Sequence, residues 1–277
     1  MLTIALLTWR EVTRRRFLTV AVILTFAFLS LYGLAVHFAN KEVSAHVALW
    51  MREIFISQLL VVGLYFASFI VSFLAVFAAV GTVSGEIESG VMHAVAARPI
   101  RRAEIICGKL LGNGLLLVFY AAVFFTALSA TVYIITGFKV NAPAHALALF
   151  CLQPLILLSI STLGSTLLST MANGIMMFML YAIAVVGGMV EQIGWLARVE
   201  TMQKIGILTS LLMPVDAMYR KIVHIMIASA GGAGSSLGLG PFGSYSEPSV
   251  WMLVYTLLYI AGTAATAVYI FNKKDIG

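Results

Sequence analysis

The chain has 277 residues, a formal net charge of +6, 61% hydrophobic and 10% charged residues, and a mean hydropathy of +1.03. Soluble domains carry about 25% charged residues, so this composition excludes a water-soluble fold. Apolar runs long enough to cross a bilayer, about 20 residues each, recur along the sequence. The positive balance calls for no nucleic acid, because basic residues at span ends answer to anionic lipid and set topology.

Residues 1–16 begin apolar and end basic. Leu2, Leu6, Trp9 and Thr13 recur at helical spacing, beside Arg10, Arg14, Arg15 and Arg16. Two readings stand side by side: an amphipathic helix at the inner headgroup level, or a basic flank that only fixes orientation. Both keep the N-terminus in the cytoplasm. The arginines lead into a full-length apolar run with no small-residue cleavage site, so no cleavable leader is expected.

The pattern predicts an all-α polytopic membrane protein in one transmembrane domain over 1–277, with spans at about 17–36, 59–83, 111–136, 146–170, 175–193 and 250–270. Between the first two, 37–58 is more polar and is placed outside. Between the second and third lies the main polar interruption of the first half, 84–112, which is placed in the cytoplasm. Lys109, just before the third span, is expected to snorkel to the inner headgroups, as Arg14, Arg15 and Arg16 do. Gln153-Pro154 predicts a kink in the fourth span, because proline removes a helical hydrogen bond. Asn173-Gly174 is expected to make a tight inner turn. Gly187-Gly188 permits close helix approach in the fifth span, and Glu191 is placed near that span's outer end, within reach of water. The segment 194–249 holds two candidate helices, 199–213 and 215–230, parted by Pro214 and followed by a Gly/Ser-rich loop. The first is too apolar for a free loop and is expected at, or dipping into, the outer membrane surface. Ten of the seventeen lysines and arginines fall in Arg10–Arg16, Arg98–Lys109 and Lys273–Lys274. That asymmetry favours both termini inside.

Few residues suggest covalent chemistry. Glu86, Glu88 and His93 lack the second histidine or paired acid that a metal site needs. There is no GxxxxGK[ST] phosphate loop and no GxSxG elbow. Cys107 and Cys151 fall near opposite faces, which argues against a disulfide. A membrane-embedded enzyme would need ionisable residues deep in the spans, and essentially none are present.

The polar interruption has an ordered layout. Glu86 and Glu88 suit the positive end of a helix dipole, and Gly90 permits close approach. Met92, Val95 and Ala96 make a small apolar face, and Arg98-Pro99 stops the helix. Arg101 and Arg102 mark the inner surface. An ordinary amphipathic connection fits this layout as well as a lever does. The run Glu86-x-Glu88-x-Gly90, then Arg98-Pro99, Arg102-x-x-Ile105 and Gly108-Lys109, resembles the permease subunits of type-2 ABC exporters. Pro214, Asp216, Tyr219 and Arg220 resemble an outer element of the branch that includes the permease of nitrous-oxide-reductase maturation transporters. The likeness covers essentially the whole chain.

The resemblance implies a non-catalytic subunit of the cytoplasmic (inner) membrane, in a homodimer or pseudo-dimer with a second permease copy and two ABC ATPase subunits. ATP and Mg are then held by the ATPases, with no cofactor in this chain. It assigns Glu86, Glu88, Gly90, Met92, Arg98, Pro99, Arg101 and Arg102 to ATPase coupling and leaves the cargo unassigned. An extracytoplasmic accessory partner is a further implication. A subunit that transmits force to such a partner, in metalloenzyme maturation, stands as the alternative to a cargo exporter.

Overall fold

The computed structural model describes residues 2–13, 16–46, 49–90, 102–140, 142–227, 243–244 and 246–273. Among these the chain is helical and forms no strand. The helices are α1 Leu2–Thr13, α2 Arg16–His46, α3 Leu49–Ala79, α4 Ser84–Glu88, α5 Arg102–Thr136, α6 Pro143–Leu167, α7 Thr170–Ala197, α8 Glu200–Leu212, α9 Val215–Ile227 and α10 Val250–Lys273. Six of the helical stretches are long and apolar enough to cross a membrane, in the order expected. Of the six, that of α6 is the most buried and that of α2 the least.

The helices overrun their apolar runs. The span placed at 17–36 lies inside α2, which continues to His46, and α3 starts at Leu49. No glycine or proline stands between His37 and Gln58 to stop either helix, and helical hydrogen bonds are local enough to continue past the apolar run. The overhang has a use. Asn40 donates to the Ile135 carbonyl at 3.1 Å, and Arg52 donates to Thr136 O at 3.3 Å. These are carbonyls of the last turn of α5, which have no partner within their own helix.

The main core cluster holds Phe124 and Phe125 on α5, Phe150 and Leu157 on α6, and Leu60 and Leu64 on α3, all fully buried, and a smaller cluster lies beside α4. Pro154 lies inside α6, as expected. The adjacent Gln153 is buried and accepts a hydrogen bond from Ser68 of α3 at 2.6 Å. α1 lies on α5 through small residues. Ala5 and Thr8 are buried where a Cβ at Gly112 would stand 2.6 Å from the Ala5 carbonyl, while Leu6 and Leu7 face outward. Cys107 and Cys151 are both free thiols.

The expected turn at Asn173-Gly174 is not there. α7 begins at Thr170, and Ser169 supplies the cap by accepting from the Ala172 N–H. Asn173 stays helical because its amide is engaged elsewhere: Nδ2 donates to Val80 O and to Ser161 O, both at 2.9 Å. A tertiary bond has replaced the local one that makes asparagine a turn former.

α8 and α9 form a re-entrant hairpin. α8 runs antiparallel to α7, with Gly194 against Met202, Glu191 against Gly206 and Gly187 against Thr209. Its 13 residues reach about 20 Å back along α7 at about 1.5 Å per residue. The carbonyls at its inner end are capped from α10: Tyr255 OH donates to Leu211 O at 2.5 Å and Tyr259 OH to Leu212 O at 2.9 Å. The chain turns at Met213-Pro214, and α9 then runs parallel to α7, with Asp216 against Gly188 and Arg220 against Glu191. α9 is buried on nearly all sides, unlike a surface helix. The first hairpin helix packs along α7, a candidate span, and is not a free loop.

Candidate functional site

Two places concentrate polar side chains, one at each end of the bundle. The first is the break between α3 and α4. Regular hydrogen bonding lapses at Val80–Val83, which frees carbonyls that must find other donors. Neighbouring spans fill the gap. Lys109 of α5 donates to Thr82 O at 2.5 Å, and Asn173 of α7 donates to Val80 O. Asn113 of α5 donates to Thr82 Oγ1 at 3.2 Å. Lys109 Nζ also stands 2.5 Å from Glu86 Oε2, with the lysine side chain 8% exposed and the glutamate 22%. Glu88 accepts from the Thr170 N–H at 2.8 Å, at the positive end of α7. Ser84 Oγ and Thr170 Oγ1 share a hydrogen bond at 2.8 Å. On the remaining side Val83 and Ile87 pack on Ile106 and on Phe271 and Ala267 of α10.

The second place is the base of the α8–α9 hairpin. Arg220 reaches four partners: Glu191 Oε1 at 2.5 Å, Asp216 at 3.0 Å, Ser210 Oγ at 2.9 Å and Ser246 Oγ at 3.1 Å. Ser246 Oγ in turn donates to Glu191 Oε1 at 3.1 Å. Tyr219 OH donates to Val61 O of α3 at 3.1 Å and its ring meets Tyr65 edge-on. Two carboxylates thus share one buried guanidinium. Burial pushes the Asp216 carboxyl up to about 6, against the pull of Arg220 and with help from Glu191.

A family profile described as ABC-2 family transporter protein matches residues 2–276. The chain belongs to the ABC-2 transporter family. No curated protein matches it. It is therefore an integral, multi-pass membrane permease subunit of an ABC transporter, and this family in general works with an ABC ATPase in a dimeric arrangement.

In this ABC-2 chain the structure gathers some of the residues singled out by sequence and reassigns others. Glu86 lies in the first turn of α4, as expected, but Glu88 is corrected: it closes that helix, because its carboxylate is drawn to the Thr170 N–H of α7, and both acids are engaged within the chain. Lys109 is corrected: it does not snorkel to headgroups but turns inward, because Glu86 and the freed Thr82 carbonyl offer it paired hydrogen bonds. Gly90 ends α4. No described atom lies within 4 Å of where its Cβ would stand. It has φ +73 just after α4, a left-handed helix stop that suits glycine. Glu191, expected within reach of water, is nearly buried at 5% exposed and is held by Arg220. Arg102 opens α5 and Arg16 opens α2, the latter exposed. Met92, Arg98, Pro99, Arg101, Arg14 and Arg15 lie outside the described residues.

Pro214, Asp216, Tyr219 and Arg220 lie at the hairpin turn and in the first two turns of α9. Pro214 turns the hairpin and the other three face α7 and α3. Sequence reasoning missed Asn173, Ser246 and Glu191 as parts of these sites. The signal for Glu191 was present, since it is an acid just beyond a long uncharged run. Asn173 carried no distinguishing signal.

Proposed function

We propose that this chain is the permease of an ABC exporter in the cytoplasmic membrane, with the α4 end and both termini inside. It pairs with a second permease copy and two ATPase subunits. ATP and Mg sit on those partners, and this chain contributes no catalytic group or cofactor of its own. The observation that carries the reading is the short helix α4, set between two long spans and joined to α5, α7 and α10 by named contacts. A push on such a helix reaches three spans at once. Within this reading Glu86, Glu88, Gly90 and Arg102 belong to the coupling region, together with the sequence segment that carries Met92, Arg98, Pro99 and Arg101. Arg14, Arg15 and Arg16 belong to the inner interface.

A second reading has its own support. The α8–α9 hairpin is tied to α7 by a buried charge cluster, so movement of α7 carries the hairpin with it. A subunit that drives an extracytoplasmic partner in metalloenzyme maturation, rather than passing cargo between permeases, uses such a lever. The Pro214–Arg220 element and its likeness to the maturation branch favour this version.

The test is co-expression with a candidate ATPase subunit. Co-purification and ATPase activity raised by the permease are expected, and an ATPase that neither binds nor responds would overturn the assignment. Sidedness is read separately. Glu200 opens α8 at the end opposite α4 and its side chain is 82% exposed. A Glu200→Cys thiol should react with an impermeant reagent added to intact cells. Labelling restricted to inverted vesicles would reverse the orientation.

A further inference from the structure

We infer that Glu86 is an internal strut of the coupling region, paired with Lys109, and not a contact made to the ATPase. The inference rests on the permease reading above and assigns Lys109 a positioning role that the sequence does not show. The lysine ammonium is almost wholly buried and reaches both Thr82 O and the Glu86 carboxylate of the α3–α4 segment. Both acids of the motif are spent on the chain itself, Glu86 on α5 and Glu88 on the N-terminus of α7.

The geometry explains why charge is needed there. Where α3 stops, Val80 O and Thr82 O lose their helical donors. A neutral amide on α5 can donate to a carbonyl but brings no counter-charge for a carboxylate. A lysine can satisfy the carbonyl and, with its remaining protons, hold a carboxylate one helical turn further on. One ammonium therefore spans the break and fixes the angle of α4 against α5. Asn173 does the same for Val80 O from α7, and Ser84 and Glu88 add the Thr170 contacts. Rotation of α4 then moves α5 and α7 together instead of being absorbed at the break. A buried ion pair of this kind is costly to break from one side, since the survivor is left without a counter-charge.

Charge reversal and swap test the strut. Glu86→Lys and Lys109→Glu should each lower permease-stimulated ATP hydrolysis about tenfold, while the ATPase subunit still co-purifies at wild-type stoichiometry. The Glu86→Lys/Lys109→Glu swap should restore part of the stimulation, above either parent but short of wild type, because it re-forms the ion pair while a carboxylate at 109 cannot donate to Thr82 O. A swap as inactive as its parents is what a direct Glu86–ATPase contact predicts, and would overturn the strut. The milder Glu86→Gln and Lys109→Met variants guard against misfolding. Unaltered stimulation in both would also overturn it. Thermal unfolding of the purified permease alone, through the same cycle, reads the pair without any ATPase. Non-additive singles rescued by the swap support the strut even where no ATPase responds to the wild-type chain, an outcome that would instead remove the permease reading. Additive singles there would overturn the strut.

Discussion

Arg220 Nη1 on α9 lies 2.5 Å from Glu191 Oε1 on α7, and the same guanidinium holds Asp216 at 3.0 Å one turn back on its own helix. The arginine side chain is 4% exposed and the two acids 7% and 11%. An exposed Asp–Arg pair at this spacing contributes only a few tenths of a kcal/mol. Burial changes the scale, because each charge has given up water and depends on its partners. This trio joins the re-entrant hairpin to the bundle.

Arg220→Met removes the only cation in contact with both acids among the described residues. It should destabilise the folded chain by about 3–5 kcal/mol, the usual cost of breaking a buried pair from one side. The triple variant Glu191→Gln, Asp216→Asn, Arg220→Met removes all three charges and should recover much of that loss. Unfolding midpoints of purified protein give both values. A triple variant no more stable than the single one would show that the arginine acts through packing.

Asp216 makes stability depend on pH. Its proton is held up to about 6 in the folded chain and to an ordinary 3.8 when unfolded. The folded state therefore binds more protons between those values. This contribution is complete below about 3.8 and is lost as pH rises through about 6. Asp216→Asn should flatten the dependence of the unfolding midpoint over that interval. An unchanged slope in the variant would assign the titration to another group.

Gly206→Ala should loosen α8 from α7. Its Cβ would overlap Glu191 Cβ and stand 2.8 Å from Glu191 Cα and from Gly187 O, so backbone rather than a side-chain tip must move. Overpacking of this kind costs about 1–3 kcal/mol or more. Gly262→Ala on α10 is the control, since nothing lies within 4 Å of its Cβ position. It should be neutral or stabilising by up to about 1 kcal/mol through helix propensity. Limited proteolysis near Arg198 and Val199 should accelerate in the first variant alone, and equal rates in both would remove the close-packing account.

Both sites were partly legible before the fold was known. Glu86, Glu88, Asp216, Tyr219 and Arg220 stood out because they are polar residues in an apolar chain, arranged at motif spacing. Their partners did not stand out. Lys109 looked like any basic residue at a span end, and Asn173-Gly174 looked like a turn, since both local rules hold when no distant group competes. Here a freed carbonyl did compete: Thr82 O took the lysine and Val80 O took the asparagine.

The amino-acid sequence by itself determined the class of this protein: six apolar runs too long and too poor in charge for water, a basic N-terminus, and a polar segment between the second and third spans. Those properties follow from solvent preference and from chain-local periodicity, which need no knowledge of neighbours. Only the tertiary structure decided where helices truly break, which carboxylates are occupied, and that α8 turns back along α7 to bury Arg220. Such outcomes depend on pairing between residues far apart in the chain. In an environment without water each freed carbonyl and each buried charge must find a partner, and which partner it finds is a property of the packed bundle.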